Sequence, residues 1–584
     1  MRRIAVILLL ATSAHAGTMQ VDIVPRMGNE PLRLDSLRYR LPSGETFSVT
    51  RLSYLLSGFA LEKTAGGWVE LPGQVAWMDA AGRSSVRLHD VPPGEYRAMR
   101  FAVGLDAATN GADPSRYPAD DPLNPNLDGL HWSWQGGYIF LALEGYYRTG
   151  TNSLRGYSYH FARDQNRTAI TLPVAVRNEA TVVIDFDLAA LLDTPHPVSM
   201  SRDGNSTHSR DGDAVAGALR TNLVGAFQVR SVAQVAMVSA VAPVKPLYLP
   251  AKFTPYKFTV PARFPIPALP RDNPLLVERV ALGEQLFHEP LLSRNDSISC
   301  ATCHDPAHAF SDPRRFSVGV DGRFGARHAM PLENLAWKSR FFWDGRAPSL
   351  PAQALFPIQD HAEMDENLDR VCKKLAGKYA ASFTQAFDNA DITPEKIGLA
   401  LENYLLTLTS HDSRFDRAMR GQAKLTAEEQ RGFQLFFTEY DPRTRQYGAD
   451  CFHCHGGALF TDNQFHDNGL DMNPIDKGLG KVTGKPGDEG KFATPSLRNV
   501  AVTGAYMHDG RFQTLEEVVE HYCTGTKRSA ALDPNLAKHP DGGVPLSDDD
   551  KKALVAFLKT LTDSAYVPNA PTAAPTTIVV SAQR

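Results

Sequence analysis

Two short segments of the chain each place two thiols and one imidazole at the same spacing. They read Cys300-Ala301-Thr302-Cys303-His304 and Cys451-Phe452-His453-Cys454-His455, so both match C-x-x-C-H. Two cysteines at this spacing can bond both vinyl groups of one haem, and the adjacent histidine can then bind the iron. Chance pairs or zinc sites are weak alternatives, because the chain holds only 6 cysteines. The sequence therefore predicts two covalently bound haem c groups.

The N-terminal residues indicate export. Residues 1–16 hold two arginines, then a short apolar run, then an A-x-A cleavage site ending at Ala16, which is the pattern of a cleaved signal peptide. The run is too short to span a bilayer, and no later stretch approaches that length. We therefore expect a periplasmic protein without a membrane span.

The net charge narrows the possible partners, and two further cysteines raise the question of a disulfide. The 584 residues carry a formal net charge of -4, which does not favour binding to nucleic acid or to an anionic membrane surface. Cys372 and Cys523 lie outside the haem motifs. Export permits a disulfide between them, but the sequence fits free thiols equally well.

The chain pattern predicts a multidomain protein, with an N-terminal all-β sandwich followed by a mostly α region. Residues 17–240 form the β part. In residues 182–188, apolar side chains occur at every second position. Similar short runs are separated by Pro-Gly, Asn-Gly and Asp-Gly turns. Short strands with such turns favour an antiparallel sandwich. Residues 241–271 are rich in proline and are expected to be a semi-extended linker.

The texture becomes helical after this linker. We divide it into two cytochrome c-like domains, 272–422 and 423–566, with one C-x-x-C-H motif each, and a flexible tail at 567–584. The repeated motif suggests a duplicated haem-binding unit. Residues with helix-capping chemistry predict helix starts at Asn273 with Pro274, at Thr426 with Glu429, at Thr514 with Glu517, and at Ser547.

Several further stretches make the region 273–563 resemble the bacterial di-haem cytochrome c peroxidases and their MauG-type relatives. They are Phe341-Phe342-Trp343-Asp344-Gly345-Arg346, Gln353 with Pro357 and Glu363, Thr494-Pro495-Ser496-Leu497-Arg498-Asn499-Val500, and Tyr506-Met507-His508-Asp509-Gly510. The resemblance implies two helical haem domains and hydrogen peroxide as the oxidant.

The resemblance also assigns roles near the haem attached at His304. A haem that activates peroxide needs an open sixth position and a nearby group that moves a proton between the two oxygens. Glu363 matches the family's distal acid, and Gln353 lies where its pocket partner sits. Trp343 matches the aromatic residue between the two haems, although it fits an ordinary core tryptophan as well.

The distal ligand of the second haem separates the branches of the family. Peroxidases carry Met at this position and MauG-type enzymes carry Tyr; here the residue fourteen positions after His508 is Tyr522. Phenolate is an anionic donor that favours oxidised iron, whereas Met raises the potential. We expect His455 and Tyr522 to bind the second iron, with Met507 as the nearest rival.

A calcium position between the haems shows a departure from the family. Thr503 and the carbonyl of Ala505 match two of its positions, but His328 falls where the family has an Asn. The Gly-rich segment 319–325 also lacks the labile distal His of many peroxidases. We expect an open first haem, with His328 as an alternative ligand.

The N-terminal part has a resemblance of its own. His131-Trp132-Ser133-Trp134-Gln135-Gly136-Gly137-Tyr138, Leu143-Glu144-Gly145 and Tyr159-His160-Phe161, with Pro122-Leu123-Asn124-Pro125 before them, resemble the MbnP family of periplasmic copper proteins. The resemblance implies that a MauG-type partner oxidises a Trp to kynurenine, whose amine joins histidines in binding copper. Candidates are Trp134 or Trp132 for oxidation and His131 and His160 as ligands, with His89 in reserve; the alternative is core tryptophans and surface histidines.

These observations predict a peroxide-dependent di-haem oxidase whose substrate is a Trp in its own N-terminal domain or in a second copy of the chain. Two alternatives stay open. One is a cytochrome c peroxidase that removes hydrogen peroxide with electrons from a small redox protein. The other is a copper store or chaperone in which the haems only carry electrons.

Overall fold

The computed structural model describes residues 17–132, 136–151, 153–177, 179–234 and 246–567. The predicted signal peptide, Trp134 and nearly all of the predicted tail lie outside the described residues. The chain forms two compact units. The first comprises Met1–Ala112 and Leu130–Ala242, and the second comprises Asp113–Gly129 and Pro243–Arg584.

The first unit is built from fifteen strands over its described residues. They are β1 (Gly17–Met27), β2 (Glu30–Pro31), β3 (Tyr39–Arg40), β4 (Glu45–Phe47), β5 (Arg51–Lys63), β6 (Trp68–Glu70), β7 (Ala76–Asp79), β8 (Ser85–Val91), β9 (Glu95–Val103), β10 (Ile139–Thr149), β11 (Arg155–Ala162), β12 (Thr168–Arg177), β13 (Ala180–Asp187), β14 (Ser206–Thr207) and β15 (Phe227–Ala233).

These strands form two sheets that pack face to face. One has the order β15-β13-β1-β2, with β8 on the other edge of β1; the larger has the order β12-β9-β5-β10-β11-β14, with β3, β4, β6 and β7 at its margins. Aromatic rings join the two sheets: Tyr54 meets Phe186 edge-on at 5.2 Å between centroids, and Phe101 meets Phe227 at 5.4 Å. The predicted sandwich is confirmed.

Strand β13 shows why the sequence folds this way. Its residues alternate between buried and partly buried, with Val182, Ile184 and Phe186 facing the core, as expected for a strand with one covered face. The strand pairs in parallel with β1 and antiparallel with β15. The expected antiparallel pairing thus holds for most strand pairs but not for β1 with β13, which run in the same direction in the smaller sheet.

Helices dominate the second unit. In chain order, the helices of the whole described chain are α1 (Ala107–Asn110), α2 (Pro125–Asp128), α3 (Leu188–Asp193), α4 (Ala214–Leu223), α5 (Val277–Phe287), α6 (Cys300–Cys303), α7 (Leu350–Gln359), α8 (Leu368–Ala386), α9 (Pro394–Leu406), α10 (Arg414–Met419), α11 (Ala427–Phe436), α12 (Leu479–Thr483), α13 (Leu515–Glu520), α14 (Pro534–Ala537) and α15 (Asp548–Lys559). Two short ribbons, β16 (Tyr440–Asp441) with β17 (Gln446–Tyr447) and β18 (Phe465–His466) with β19 (Phe492–Ala493), complete it.

Most of the predicted helix starts are present. Thr426 and Thr514 begin α11 and α13 through capping boxes, and Ser547 caps α15. The start predicted at Asn273 was wrong, since α5 begins at Val277. The side-chain oxygen of Asn273, which a cap would use, accepts instead from the Arg279 guanidinium at 2.7 Å. Its side-chain N–H groups donate to the carbonyl of Leu399 and the carboxylate of Glu402, so this fully buried side chain is engaged away from the helix start.

The two halves of this unit repeat one helix crossing. A Cβ at Gly283 of α5 would collide with the carbonyl of Ala400 on α9, and a Cβ at Gly432 of α11 would collide with that of Ala553 on α15. Each glycine thus lets two helices touch backbone to backbone. Within the described residues, no helix is both long enough and apolar enough to cross a bilayer.

Candidate haem centres and copper site

Each C-x-x-C-H histidine is oriented by a carbonyl a few residues further along the chain. His304 Nδ1 lies 2.8 Å from the oxygen of Phe310, and His455 Nδ1 lies 3.2 Å from that of Phe460. Both phenylalanines adopt left-handed backbone angles, which turn the carbonyl back onto the ring. A carbonyl only accepts, so Nδ1 carries the proton and Nε2 presents its lone pair. Burial also lowers the pKa of both imidazoles, which favours the neutral ligand form.

The paired thiols fit thioether attachment. Cys300 and Cys303 lie one helical turn apart on α6, which starts with a capping box between Ser299 and Thr302. Burial raises the pKa of the Cys300 thiol to about 12, and burial likewise raises that of Cys451. The thiols are therefore shielded neutral groups beside an iron-facing imidazole, and both motifs fit a haem c.

The segments after the two motifs follow the same backbone path. Phe341 pairs with Ala347 in an isolated bridge, and Tyr506 pairs with Phe512 in the same way. Phe342-Trp343-Asp344-Gly345-Arg346 in the first half corresponds to Met507-His508-Asp509-Gly510-Arg511 in the second, with left-handed angles at the first and fourth residue of both runs. The duplication thus extends well beyond the haem motifs.

This correspondence also relates Tyr522, the predicted ligand of the second haem, to a residue of the first half. Tyr522 is eleven residues after Arg511, and the residue eleven after Arg346 is Pro357. Tyr522 lies on a π turn, His521–Gly525, that continues α13, a local widening often found at functional sites. Pro357 lies inside α7 and has no donor atom for a metal. One position can therefore supply a ligand and the other cannot.

The two rival ligands of the second haem lie together. The side-chain amide of Asn468 is 3.3 Å from the phenol oxygen of Tyr522 and 3.3 Å from the sulfur of Met507. Burial raises the pKa of Tyr522, and the thiols of Cys454 and Cys451 act in the same direction. The phenol thus lies close enough to the attachment cysteines to interact with them electrostatically.

Glu363 lies in a loop held by the Gly-rich segment. The amide of Val320 donates to the carbonyl of Glu363 at 2.8 Å, and a Cβ at Gly319 would collide with the carbonyls of Ala362 and Glu363. Burial raises the pKa of Glu363 to about 7; Asp360 adds to this and Arg346 opposes it. Glu363 also influences the thiols of both attachment cysteines electrostatically. It is therefore a carboxyl close enough to act on the first pair of attachment cysteines, and it can hold or release a proton at neutral pH.

The other two residues predicted for the first haem site lie in the same half of the unit. Gln353 lies on α7, one turn before Pro357. Trp343 is buried, and its indole N–H donates to the carbonyl of His328 at 2.9 Å. Its own carbonyl accepts from the amide of Ala493, at 2.8 Å, so Trp343 touches both halves of the unit.

A cluster of aromatic and imidazole rings lies in the first unit. Trp132 is only 6% exposed; its ring stacks on His208 at 5.4 Å and lies 6.4 Å from His160. Ring nitrogens of His160 and His208 lie within 4.8 Å of each other. His160 Nε2 is 2.9 Å from the carboxylate of Glu144, which is paired with Arg51 at 3.2 Å. Two imidazoles that approach so closely, one of them oriented by a carboxylate, suit a copper ion.

The other copper candidates stand differently. His131 packs edge-on against Tyr138 at 4.7 Å, on the bridge that closes the Trp132 loop. His89 is exposed on β8, in the smaller sheet, and is not brought to this cluster. Trp134 lies outside the described residues.

Comparison with known proteins finds relatives for both parts of the chain. A family model described as di-haem cytochrome c peroxidase matches residues 277–424, and a model described as MbnP matches residues 16–209. The methylamine utilization protein MauG of Methylorubrum extorquens is 38% identical over 297 residues, which cover 50% of this chain and 80% of that protein. The MauG of Paracoccus denitrificans is 35% identical over 368 residues, covering 52% and 92%.

The chain belongs to the di-haem cytochrome c peroxidase and MauG family. Its members are oxidoreductases with two haem c groups, and peroxide is their oxidant. A solved structure of a MauG-like protein associated with microbial copper homeostasis is 31% identical and covers 54% of this chain and 98% of its own, with a TM-score of 0.48. MbnP from Methylosinus trichosporium is 15% identical, covering 38% and 100%, with a TM-score of 0.28.

In this MauG-family chain, the predicted calcium position does not offer a calcium donor set. The ring of His328 is buried there, with Nε2 3.3 Å from the carbonyl of Thr503 and Nδ1 3.2 Å from that of Arg314. Calcium prefers six or more oxygen ligands, and here an imidazole engages one of the required carbonyls. Ala505, two residues after Thr503, is also buried. Because His328 replaces an oxygen donor, these residues do not match the ligand set that calcium prefers.

Sequence reasoning missed His208. It is placed by its neighbour Ser209, whose hydroxyl donates to the carbonyl of His160 at 3.0 Å and accepts from the amide of Ala162 at 2.9 Å. The strand before it, β14, has only two residues and pairs in parallel with β11. In the sequence, His208 is a single histidine within a polar stretch. No periodic pattern of apolar residues around it predicts its position.

Proposed function

We propose that this protein uses hydrogen peroxide at its haem centres to oxidise Trp132 or Trp134 of its MbnP-like domain to kynurenine, and that the product binds copper. The observation that carries the proposal is the packing of Trp132 against His160 and His208 in a chain that also contains a MauG-type unit. An indole is a poor copper ligand, whereas imidazoles suit copper. Oxidation of the indole would add a donor where two imidazoles already meet.

The first half of the haem unit supplies the peroxide site. A haem c bound there would supply an open iron position at which peroxide can be reduced. Glu363, with a pKa near 7, accepts the proton from the inner peroxide oxygen and returns it to the leaving oxygen. Gln353 orients the peroxide from α7, and Pro357 leaves that side without a protein ligand.

The second half supplies a centre closed by protein. Tyr522 would hold the second haem opposite His455, and its phenolate favours the oxidised metal. Trp343 lies between the halves, fixed through its indole N–H, and would pass an electron from one half to the other.

The overall chemistry balances with peroxide as the sole oxidant. Two molecules of hydrogen peroxide accept four electrons from the indole; two oxygen atoms enter as the C2–C3 bond breaks, and two waters form. The product is N-formylkynurenine, and hydrolysis with one water releases formate and leaves the aryl amine of kynurenine. That amine and the adjacent carbonyl are the new donors for copper.

The proposed cellular setting follows from the haems and the leader. Covalent haem c and the predicted signal peptide favour a periplasmic protein. Its partners would be hydrogen peroxide, its own or a second copy's N-terminal domain, and copper.

The proposal is tested by adding peroxide to the purified di-ferric protein and measuring the intact mass. We expect a gain that matches Trp-to-kynurenine conversion, located by peptide mapping to Trp132 or Trp134. Copper titration before and after treatment should show tighter binding afterwards. His208→Ala should abolish most of this increase in copper affinity. Glu144→Gln should weaken copper binding about 10–100-fold, as removal of an orienting partner does. His89→Ala is the matched control.

A peroxidase is the second candidate, since several relatives are named cytochrome c peroxidases, including that of Escherichia coli at 31% identity over 319 residues. It predicts rapid peroxide turnover with an added small redox protein and no change of mass. Copper binding that peroxide treatment does not alter would instead indicate a store or chaperone.

A further inference from the structure

We infer that the N-terminal domain is oxidised by the haems of its own chain, because a segment of that domain's sequence is built into the haem unit. This segment, Asp113–Gly129, is here called the strap. The inference rests on the proposed function and adds the identity of the partner, which is the same polypeptide.

The strap lies inside the region that matches the MbnP family, 16–209, yet it packs as part of the haem unit. The chain on both sides of it, up to Ala112 and from Leu130, belongs to the first unit. The chain therefore passes from one unit to the other three times, where a simple fusion through the Pro-rich linker needs one passage. The N-terminal domain is therefore connected to the haem unit at three points of the chain and not through the linker alone.

Asn124 fixes the middle of the strap. Its side chain is fully buried, and its amide donates to the carbonyls of Tyr117, Pro118 and Ile266 at 3.0–3.1 Å. Its side-chain oxygen caps helix α2 by accepting from the backbone N–H of Asn126 at 3.0 Å. Two of the three carbonyls belong to the strap itself and the third to the linker, so one side chain both shapes the strap and anchors it.

Asn126 joins the strap to both haem-binding halves. Its amide donates to the carbonyl of Trp337 in the first half at 2.8 Å, and its oxygen accepts from Asn463 in the second half at 2.9 Å. Asn463 also donates to the carbonyl of Trp337, at 3.2 Å. Trp337 is itself buried and held by a bond from its indole to Pro265. Three hydrogen bonds thus connect Asn126, Asn463 and the carbonyl of Trp337 to one another, and the side-chain N–H groups of both asparagines have acceptors.

The strap leads directly into the segment proposed for oxidation. Gly129 ends α2 in a left-handed turn, Leu130 is fully buried, and Trp132 follows two residues later. Trp132 is held in its own loop by backbone bonds with Gly136 and Gly137. Because only three residues separate the anchored helix from this indole, the tether gives a high effective concentration of the domain and leaves a second copy little opportunity to compete.

The test mixes two kinds of full-length holoprotein. The acceptor is ¹⁵N-labelled and carries Glu363→Gln, so it keeps both tryptophans but lacks the distal acid; the donor carries Trp132→Phe and Trp134→Phe with intact haem sites. After peroxide is added, we expect the labelled acceptor to gain no kynurenine mass, while the wild type alone converts at a rate independent of protein concentration. Conversion of the labelled acceptor at a rate that rises with donor concentration would overturn the inference.

A failure of the proposed function itself looks different, because the wild type alone would then show no kynurenine mass. The acceptor without donor sets the background of the mixing experiment. A donor whose haem spectrum still responds to peroxide shows that the oxidant was available.

Hydrogen exchange provides a readout that does not depend on turnover. The amides of the strap should exchange slowly in the wild type and faster in Asn126→Ala, with the kynurenine rate lowered about tenfold, the factor that corresponds to about 1.4 kcal/mol. Asp120→Ala, an exposed residue of the same strap, is the matched control and should change neither. Strap amides that exchange in the wild type as fast as exposed loops would show that it is not anchored.

Discussion

The run from Phe341 to Pro357 in the first haem-binding half and the run from Tyr506 to Tyr522 in the second share a bridge, two left-handed residues and an Asp-Gly-Arg sequence. They differ where a side chain would approach the distal face of a haem. The first run ends on a proline inside a helix, and the second ends on a phenol at a π turn.

This difference shows how one backbone can serve two kinds of metal centre. The shared features fix the path of the chain, and a few side chains then decide access. Glu363 has no acidic counterpart in the second half: the residue at the same distance from Arg511, which is Arg528, bonds Asp541 and backbone carbonyls. Under the proposed function, the halves are one frame adapted once for an open centre and once for a closed one.

The largest effect should come from Glu363→Gln, which removes the proton carrier that only the first half possesses. We expect the second-order rate of the peroxide reaction to fall by about 10²–10⁴-fold, the range for loss of a general acid–base group. Stopped-flow spectroscopy of the haem bands measures this rate. Glu395→Gln on α9 is the control.

The same residue should set the pH dependence. Glu363 must be ionised to accept the first proton, and its pKa lies near 7. The wild-type rate should therefore rise as pH increases from 6 to 8 and level off above, whereas the rate of Glu363→Gln should stay flat. A wild-type rate that falls over this interval would assign the proton transfer to another group.

Tyr522→Met should make the second half resemble that of an ordinary peroxidase. Methionine raises haem potentials relative to an anionic oxygen donor, so we expect the potential of this haem to rise by roughly 0.1 V or more, within the ~0.8 V that axial ligands span. Spectroelectrochemistry measures the shift. Tyr379→Phe, a buried phenol on α8 bonded to Glu289, is the control. An unchanged potential would favour Met507 as the ligand.

Trp343 and His508 occupy equivalent positions, so parallel substitutions separate their roles. Trp343→Phe should slow electron exchange between the haems and, through loss of the bond to His328, lower the free energy of unfolding by about 1 kcal/mol. His508→Phe keeps a ring against Phe492, on which His508 stacks at 3.6 Å, and should leave the exchange rate unchanged. Freeze-quench spectroscopy of half-reduced protein compares them. Equal rates in both variants would remove Trp343 from the electron path.

The smallest effect should follow removal of calcium. Because His328 replaces an oxygen donor, a chelator should leave the haem spectrum and melting temperature of the wild type unchanged. His328→Asn restores the donor expected in the family and should make the melting temperature depend on calcium. A wild type destabilised by the chelator would show that calcium binds in spite of the imidazole.

The features that could be predicted from sequence are those fixed by short spacings. The C-x-x-C-H motifs and the capping boxes at Thr426 and Thr514 all involve residues within two helical turns of one another. The assignment of Tyr522 from its distance to His508 stays a prediction. The alternation in β13 likewise reports its buried face directly.

The features that escaped prediction depend on contacts between distant parts of the chain. His208 reaches His160 through a two-residue parallel strand, and Asn126 meets Trp337 and Asn463 from more than 200 residues away in sequence. Asn273 matched a helix cap locally, but its side-chain oxygen is taken by Arg279, and its amide N–H groups are taken by partners on α9 that lie 126 and 129 residues later. Local propensity cannot reveal such partners, since tertiary bonds override it.

His328 gives the haem unit a permanent spacer. Its amide donates to the carbonyl of His508 at 2.9 Å, its ring reaches carbonyls on both sides, and its own carbonyl receives the Trp343 indole. An ion at this position would exchange with the surroundings, but a side chain is installed once, when the polypeptide is synthesised. The spacing of the segments that carry Arg314, Thr503 and His508 is thus set genetically through the contacts of His328, and fluctuations in environmental alkaline-earth ions would leave these contacts untouched.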